Sequence, residues 1–349
     1  MNRIVFVVPP MDKLGGVALH YKGLRDYWSQ EVYYCELRSF EKKGLLHRLY
    51  VTFYNILNFI KVLITWSPTH VILNTSLKKG FFTQYYHWRI AKLFKKKIGL
   101  FIHGWDVEHE NNYLDNPKCR QYLKGVNGIF LLSSKFKESI EKKCITTPVY
   151  VVTTKVDNSL LECFDFTKKE FLNRRFLFVA RLIKEKGIYE TIDTFQLIQK
   201  QYPDATFDIV GDGIEKANVE NYIKERNIPN IKVHGQLSGK LLSEAYANSD
   251  YYFLLSWGEG LPGSLLEAIS FGLIPIVRGV GGIPEVFKDE EMGIMSSEKN
   301  PEYYANRILQ LMSDPEKAQA ITLENYRIGQ EKFLASAVAI RFESIIDKL

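Results

Sequence analysis

The sequence predicts an α/β protein of two domains, each a doubly wound parallel sheet with helices on both faces. Three observations carry that expectation. The chain has 349 residues, too many for one typical core and suited to two domains of ordinary size. Strand-length apolar runs alternate with helix-length amphipathic ones, as a parallel sheet requires. Finally, residues 257–287 read as loop, helix, strand, glycine turn and helix start, the local unit of such a fold.

Taken in order, Arg3–Val8 is a buried strand, and the loop after it ends in Gly15–Gly16 before a helix over Val17–Tyr27. A glycine pair at a strand-to-helix turn lets backbone approach a ligand, although such turns are also chosen for geometry alone. The G-x-G-x-x-G spacing of a dinucleotide site is missing. Leu45–Trp66 is long and apolar but contains Arg48 and Lys61. It fails as a clean membrane span and reads as a buried helix before the strand His70–Asn74. Phe81–Lys97 reads as another helix. Phe82, Tyr86, Ile90 and Leu93 fall on one side of it, and Tyr85, Trp88, Arg89, Lys92 and Lys95 on the other. Rings mixed with long cationic side chains suit a face laid on lipid headgroups. Strand Ile98–Ile102 ends at His103–Gly104–Trp105–Asp106. Ligands of open α/β sheets bind beyond the carboxyl ends of strands, which makes His103 a candidate contact. Ser133 and Ser134, after strand Ile129–Leu132, read as helix N-caps. Residues 153–175 read as the linker.

The second half opens with strand Phe176–Ala180, followed by Arg181-Leu-Ile-Lys-Glu-Lys186-Gly187 and a helix over Ile188–Gln201. Cations at a helix start oppose its dipole, so a bound anion is the natural reason for them. A forked Arg and a point-charge Lys suit a diphosphate. Thr206–Val210 runs into Gly211–Asp212–Gly213, Ile231–His234 is the next strand, and Leu241–Asn248 a helix. After the short strand Tyr251–Leu255, Pro262 suits the first helical position, and Gly272 can end that helix. Ile274–Val277 is a strand, and Gly279, Gly281 and Gly282 precede a helix begun by Pro284.

Two carboxylates in this stretch, Glu259 and Glu267, stand eight positions apart. Glu259 could simply favour a helix N-terminus. Glu267 sits among apolar residues, where an unpaired carboxylate is costly, so something should be bonded to it. The free backbone N–H groups expected over 262–265 make the helix start an anion site. An anion flanked by two acceptors of hydroxyl hydrogen bonds fits a nucleotide sugar, and a structural role for both carboxylates is the other reading.

The charges divide unevenly. Residues 1–165 carry a net +10 and residues 166–349 a net −4, out of +6 overall. The first domain is thus the one expected to meet an anionic surface. No pattern of a nucleic-acid-binding module accompanies that charge. The four cysteines show no metal-ligand or redox spacing and are expected to be reduced and mostly buried. Val5–Val8 is too short for a signal-peptide core, so a cytoplasmic location is expected.

Glu259-Gly-Leu-Pro-Gly-Ser-Leu-Leu-Glu267, followed by Gly279-Val-Gly-Gly-Ile-Pro-Glu-Val286, resembles the E-x7-E signature of retaining GT-B glycosyltransferases of family four. The Gly15–Gly16 loop, His103–Gly104, Arg181–Gly187, Gly211–Gly213 and the His234-Gly-Gln-Leu segment resemble further motifs of that family. The resemblance implies two Rossmann-like domains facing across a cleft, residues 1–165 and 166–336, with helix 337–349 packing back on the first. It implies transfer of a sugar from a UDP- or GDP-linked donor to a glycan or polyprenyl-linked acceptor, in surface polysaccharide or glycolipid synthesis. Arg181 and Lys186 would stabilise the departing diphosphate, with Gly15, Gly16, Gly211 and the stretch Pro262, Gly263, Ser264 and Leu265. Glu267 would bind ribose, Glu259 the donor sugar, and His103 the sugar or diphosphate. No Asp-x-Asp loop is present, so no metal or other cofactor is expected. The family usually has Asn-Gly-Val-Asp where this chain has Thr154-Lys-Val-Asp157, which removes the basis for a donor contact from 154–155. A retaining glycoside hydrolase would have no use for the Arg–Lys pair. A non-catalytic sugar-nucleotide-binding subunit is the remaining alternative. The expected location is the cytoplasm, peripheral on the inner face of an anionic membrane.

Overall fold

The computed structural model describes residues 2–349 apart from 13–15, 40–43, 78–80, 106–108 and 172. Among the described residues twelve strands form two sheets of six, and all their pairings are parallel. The first sheet contains β1 (Arg3–Val8), β2 (Glu31–Glu36), β3 (His70–Leu77), β4 (Lys97–Trp105), β5 (Gly128–Leu131) and β6 (Val149–Val151), in the order β2-β1-β3-β4-β5-β6. The second contains β7 (Arg175–Val179), β8 (Thr206–Val210), β9 (Ile231–Gly235), β10 (Tyr251–Leu254), β11 (Ile274–Arg278) and β12 (Ile294–Ser296), in the order β12-β11-β10-β7-β8-β9. Parallel strands covered by helices on both faces need apolar residues at every position. The run Ile4–Val8 and the whole of β10 are accordingly buried. Each sheet has a point where the strand order reverses, β1/β3 in the first and β7/β10 in the second, and ligands collect in such crevices.

The chain divides into two units, residues 1–154 with 338–349, and residues 155–337. The helix Ala335–Ile346 sends Phe342, Ile345 and Ile346 into the apolar core of the first unit, beside Phe6, Phe101 and Phe130. Its Glu343 accepts from the backbone N–H groups of Ser29 and Gln30, each at 2.9 Å. The segment read as a linker is largely folded onto the second unit. Val156 bridges Leu334, Phe166 stacks on Tyr326 at 4.0 Å, and Lys169 donates to the carbonyls of Ala247 and Ser249.

Several expectations about helices need correction. The Leu45–Thr65 helix is not buried. It turns only Val51, Asn55, Phe59, Val62 and Leu63 inward, while Leu46 stays 84% exposed and Phe53 63%. One stripe suffices to cover the sheet, and among the described residues nothing covers the side chains of the opposite face. No helix among the described residues is long and apolar enough to cross a membrane. The segment 81–97 is a 3-10 turn (Phe81–Gln84), an α-helix (Tyr85–Leu93) and the start of β4. Its exposed face is only partly the one expected: Arg89, Lys92 and Lys95 point outward as expected, but the rings change places. Tyr85, Trp88 and Ala91 are buried, with Trp88 Nε1–H donating to the Gly125 carbonyl at 3.0 Å, whereas Tyr86 and Leu93 face outward. Trp88 therefore cannot present its ring to headgroups. The first helix is α-helical over Gly16–Leu24 and tightens to 3-10 at Arg25–Tyr27. Ser133 stands at the N-cap position of Ser134–Lys142, but its hydroxyl makes no capping bond. All four cysteines are free; Cys35 and Cys119 are buried, Cys144 and Cys163 exposed.

Candidate functional site

In the second unit the residues singled out from sequence gather at the carboxyl ends of β7 and β10, the strands flanking the switch point. After β7 the chain passes Arg181 and makes a 3-10 turn, Lys184–Lys186. After β10 it passes Ser256 and Trp257 to reach Glu259. The two loops are tied by the Trp257 N–H donating to the Glu185 carbonyl at 2.8 Å. Lys186 Nζ lies 2.6 Å from Glu259 Oε1, and the buried Ser256 hydroxyl donates to the same oxygen at 2.6 Å. The Glu259 side chain is only 7% exposed and that of Lys186 20%. This is a largely desolvated pair, in which either charge without the other would be costly. Arg181 is exposed. The glycine turn after β11 holds Glu259 from the other side. Gly281 has φ +59, and a Cβ there would stand 1.6 Å from the Glu259 carbonyl oxygen. Only glycine permits that approach.

The helix after this loop begins at Gly263, with Pro262 at the N-cap in extended geometry. That alters the expected anion site. Pro262 has no N–H to offer, and the Leu265 N–H donates to the Pro262 carbonyl at 3.2 Å. The donors remaining at the helix start are the amides of Gly263 and Ser264. Gly211 is likewise engaged, its N–H donating to the Gly235 carbonyl at 2.8 Å. Tyr246 supplies the partner that Glu267 required. Its hydroxyl donates to Glu267 Oε2 at 2.8 Å and approaches the Ser264 carbonyl at 3.3 Å. Burial raises the Glu267 carboxyl above its ordinary pKa, with the Tyr246 bond opposing the shift. Tyr252 donates to Ser264 Oγ at 2.7 Å. Glu267 also lines a cavity of about 430 Å³ with Asp157, Ser159, Ser238 and Ser243, and Asp157 is paired with Lys155. Sequence reasoning missed Tyr246, Tyr252 and Ser256. Tyr252 and Ser256 are polar groups in or just after a buried strand, and that was the available signal.

In the first unit His103 lies inside β4 rather than after it. Thr75 pairs with Ile102 and Ser76 with Gly104, so His103 is the extra residue of a β-bulge. Bulges re-aim side chains. The imidazole stacks on Phe101 at 3.7 Å and places Nε2 2.7 Å from Asn74 Oδ1. Its tautomer follows from a chain of donors and acceptors. The Val7 carbonyl can only accept, and it takes a bond from Asn74 Nδ2 at 3.0 Å. Asn74 therefore turns Oδ1 toward the Tyr21 hydroxyl, 2.9 Å away, and toward His103. An amide oxygen only accepts, so Nε2 carries the proton and Nδ1 is the ring's acceptor. Burial, and then the neighbouring His20, push the His103 pKa well below the usual range and keep the ring neutral. A neutral imidazole with a free acceptor nitrogen suits a hydroxyl better than a phosphate. Gly16 opens the first helix, and Gly15 lies outside the described residues.

Comparison with known proteins bears on the second unit most directly. Residues 165–327 match the family model of glycosyl transferases group 1. The chain is 32% identical over 161 residues to an uncharacterized glycosyltransferase of Haemophilus influenzae, covering 46% of this chain and 44% of that one. It is 26% identical over 173 residues to the 2-deoxystreptamine N-acetyl-D-glucosaminyltransferase of Niallia circulans, covering 49% and 44%. Each match spans under half the length of the relative. Among solved structures, Anabaena Alr3699/HepE in complex with UDP and glucose superimposes with a TM-score of 0.64 over 100% of both chains, at 15% identity. The fold is GT-B. The group 1 match contains Arg181, Lys186, Gly211, Glu259, Pro262–Leu265 and Glu267, whereas Gly15, Gly16 and His103 precede it.

Proposed function

We propose that the protein is a retaining glycosyltransferase of family four. It moves a sugar from a nucleoside diphosphate donor to a glycan or lipid-linked acceptor, as in surface polysaccharide or glycolipid synthesis. The observation that carries this reading is the buried Lys186–Glu259 pair at the switch point, one helix start away from the Tyr246–Glu267 pair. A cation held against a carboxylate in a largely dry loop is poised to exchange that partner for a ligand's diphosphate. Arg181 and Lys186 neutralise the charge that grows on the departing diphosphate, and the Gly263 and Ser264 amides add two fixed donors. Glu267 accepts from ribose hydroxyls. Glu259, released from Lys186, accepts from hydroxyls of the transferred sugar, and His103 Nδ1 accepts from a sugar hydroxyl. The cationic groups take the place of a metal, and none is required. UDP is the first donor nucleotide to test, because the Anabaena structure holds UDP and glucose. Both the group 1 match and the likeness to sugar-transferring relatives support the assignment. A lipid-linked acceptor would bring the reaction to the inner face of a cell membrane, and the net +10 of residues 1–165 favours that location.

Arg181→Ala provides the test. Losing one preorganised donor to a transition-state charge lowers turnover by roughly 10²–10³, read as nucleoside diphosphate released from the donor. Near-normal turnover in the variant would sink the assignment. The anomeric configuration of the product, read by proton NMR, tests retention separately.

A further inference from the structure

Sugar transfer leaves unused the outer face of the Leu45–Thr65 helix and the Tyr85–Leu93 helix beside it. Of the eighteen large apolar side chains exposed among the described residues, eleven lie between Tyr33 and Phe94. On the longer helix Leu46, Leu49, Tyr50, Phe53, Leu57 and Ile64 are each 50–84% exposed. At 100° per residue they fall within about 60° of one line, which at 1.5 Å per residue runs about 27 Å. On the shorter helix Tyr86 is 60% and Leu93 80% exposed, and Tyr86 shares a groove with Thr52 and Ile56 of the longer one. The two apolar surfaces therefore adjoin. A patch of this kind marks an interaction site rather than ordinary surface.

Charge identifies what covers it. Residues 44–105 contain nine Lys and Arg and no Asp or Glu. Lys61, at the edge of the stripe, and Arg89 and Lys92, on the shorter helix, are all exposed. A second copy of the chain would bring the same cations against these, and residues 44–105 supply no carboxylate to meet them. An anionic bilayer satisfies both features at once, the acyl boundary taking the stripe and the phosphates the cations. We propose that this face docks the first unit on an anionic lipid surface. The longer helix lies on the bilayer rather than across it, because its inward residues belong to the core of the unit. The proposal deepens the reading of a lipid-linked acceptor and rests on it for its purpose, but its physical basis is independent.

Vesicle sedimentation without nucleotide tests it. The wild-type chain should pellet with phosphatidylglycerol-containing vesicles, less at high salt, and remain in solution with phosphatidylcholine alone. Leu46→Glu with Phe53→Glu should lower the partition coefficient about a hundredfold, since two exposed apolar anchors are replaced by repelled charges. Both positions are solvent-facing, so an unchanged melting temperature is expected. Lys61→Glu with Lys92→Glu, which spares the apolar stripe, should lower it about tenfold or more and remove the salt dependence. A wild-type chain that stays in solution with anionic vesicles at low salt overturns the proposal, as does a Leu46→Glu/Phe53→Glu variant that binds like wild type. A dimer that dissolves in that variant, without vesicle binding, overturns it in favour of self-association. Nucleoside diphosphate binding, measured by calorimetry in parallel, separates the two ideas. Its loss would count against the transferase reading alone, and failure to bind vesicles against the docking face alone.

Discussion

Asn74→Asp tests whether His103 works as a neutral acceptor. In the native site the Asn74 amide oxygen takes the Nε2 proton and leaves Nδ1 open. A carboxylate at position 74 still accepts from Nε2 and from Tyr21, although it gives up the donation to the Val7 carbonyl at a pH-independent cost. It also favours the imidazolium form and so raises the His103 pKa. Once protonated, Nδ1 becomes a donor facing a hydroxyl it should accept from. Losing one hydrogen bond to a buried group costs about 1–3 kcal/mol, or roughly 5- to 150-fold in kcat/KM. The variant's activity should therefore fall as pH falls through its raised pKa and recover above it. The wild type, whose His103 pKa burial already holds well below the usual range, should show no such step near the ordinary histidine pKa. Stability should move the opposite way. In the wild type the folded His103 pKa lies below the unfolded value near 6.5. Above that value both states are neutral and the native state has its full stability. As pH falls below it, the unfolded chain takes up a proton that the folded chain refuses, losing about 1.4 kcal/mol per pH unit at most. Asn74→Asp, with its higher folded pKa, should lose less. The assays are pH profiles of donor turnover and of denaturant unfolding, with ¹⁵N NMR of the imidazole as the direct readout. A proton on Nδ1 in the wild type, or identical pH profiles for both proteins, would refute the reasoning.

Other expectations follow from the second unit. Lys186→Met strands the Glu259 carboxylate and should cost about 3–5 kcal/mol in denaturant unfolding. Adding Glu259→Gln should restore much of that stability but none of the activity; a double variant as unstable as the single one would contradict the pairing. Glu267→Gln should weaken binding of the free nucleoside diphosphate, and Glu259→Gln should leave that affinity intact while cutting transfer. Calorimetry decides this, and equal losses in the two variants would refute the division of roles. Removing divalent metal with a chelator should leave turnover within about twofold, because cationic side chains supply the charge stabilisation; a large loss restored by added metal would contradict this.

The strand alternation was readable because parallel strands buried on both faces leave unbroken apolar runs, and Ile4–Val8 and Tyr251–Leu254 are such runs. The candidate site was readable in its members but not in its bonds. Lys186 and Glu259 could each be singled out from local context, yet nothing local joins residues 73 positions apart. Their pairing depends on β7 and β10 becoming neighbours through a crossover of the sheet. Asn74 left a trace that was not followed, a buried amide within the apolar run of β3. Such a group must find partners, and its partners are what fix His103. The Tyr85–Leu93 helix shows where periodicity stops. Spacing groups Trp88 with Arg89 and Lys92, whereas the true boundary runs between them, leaving the two cations outside with Tyr86 and Leu93. Charge alone suggested that the Trp88 ring should be wet too. What decides the matter is the neighbour. Gly125 has no side chain, and a Cβ there would stand 2.3 Å from the Trp88 ring. The indole therefore fills that space and its N–H finds the Gly125 carbonyl. Lys92 can lie over the same ring at 5.6 Å while its charge stays in water. A long cationic side chain beside an aromatic one thus does not report which of them is exposed. The reliable report of an outward apolar face is its own lack of inward contacts, which the Leu45–Thr65 helix displays along Leu46, Phe53 and Ile64.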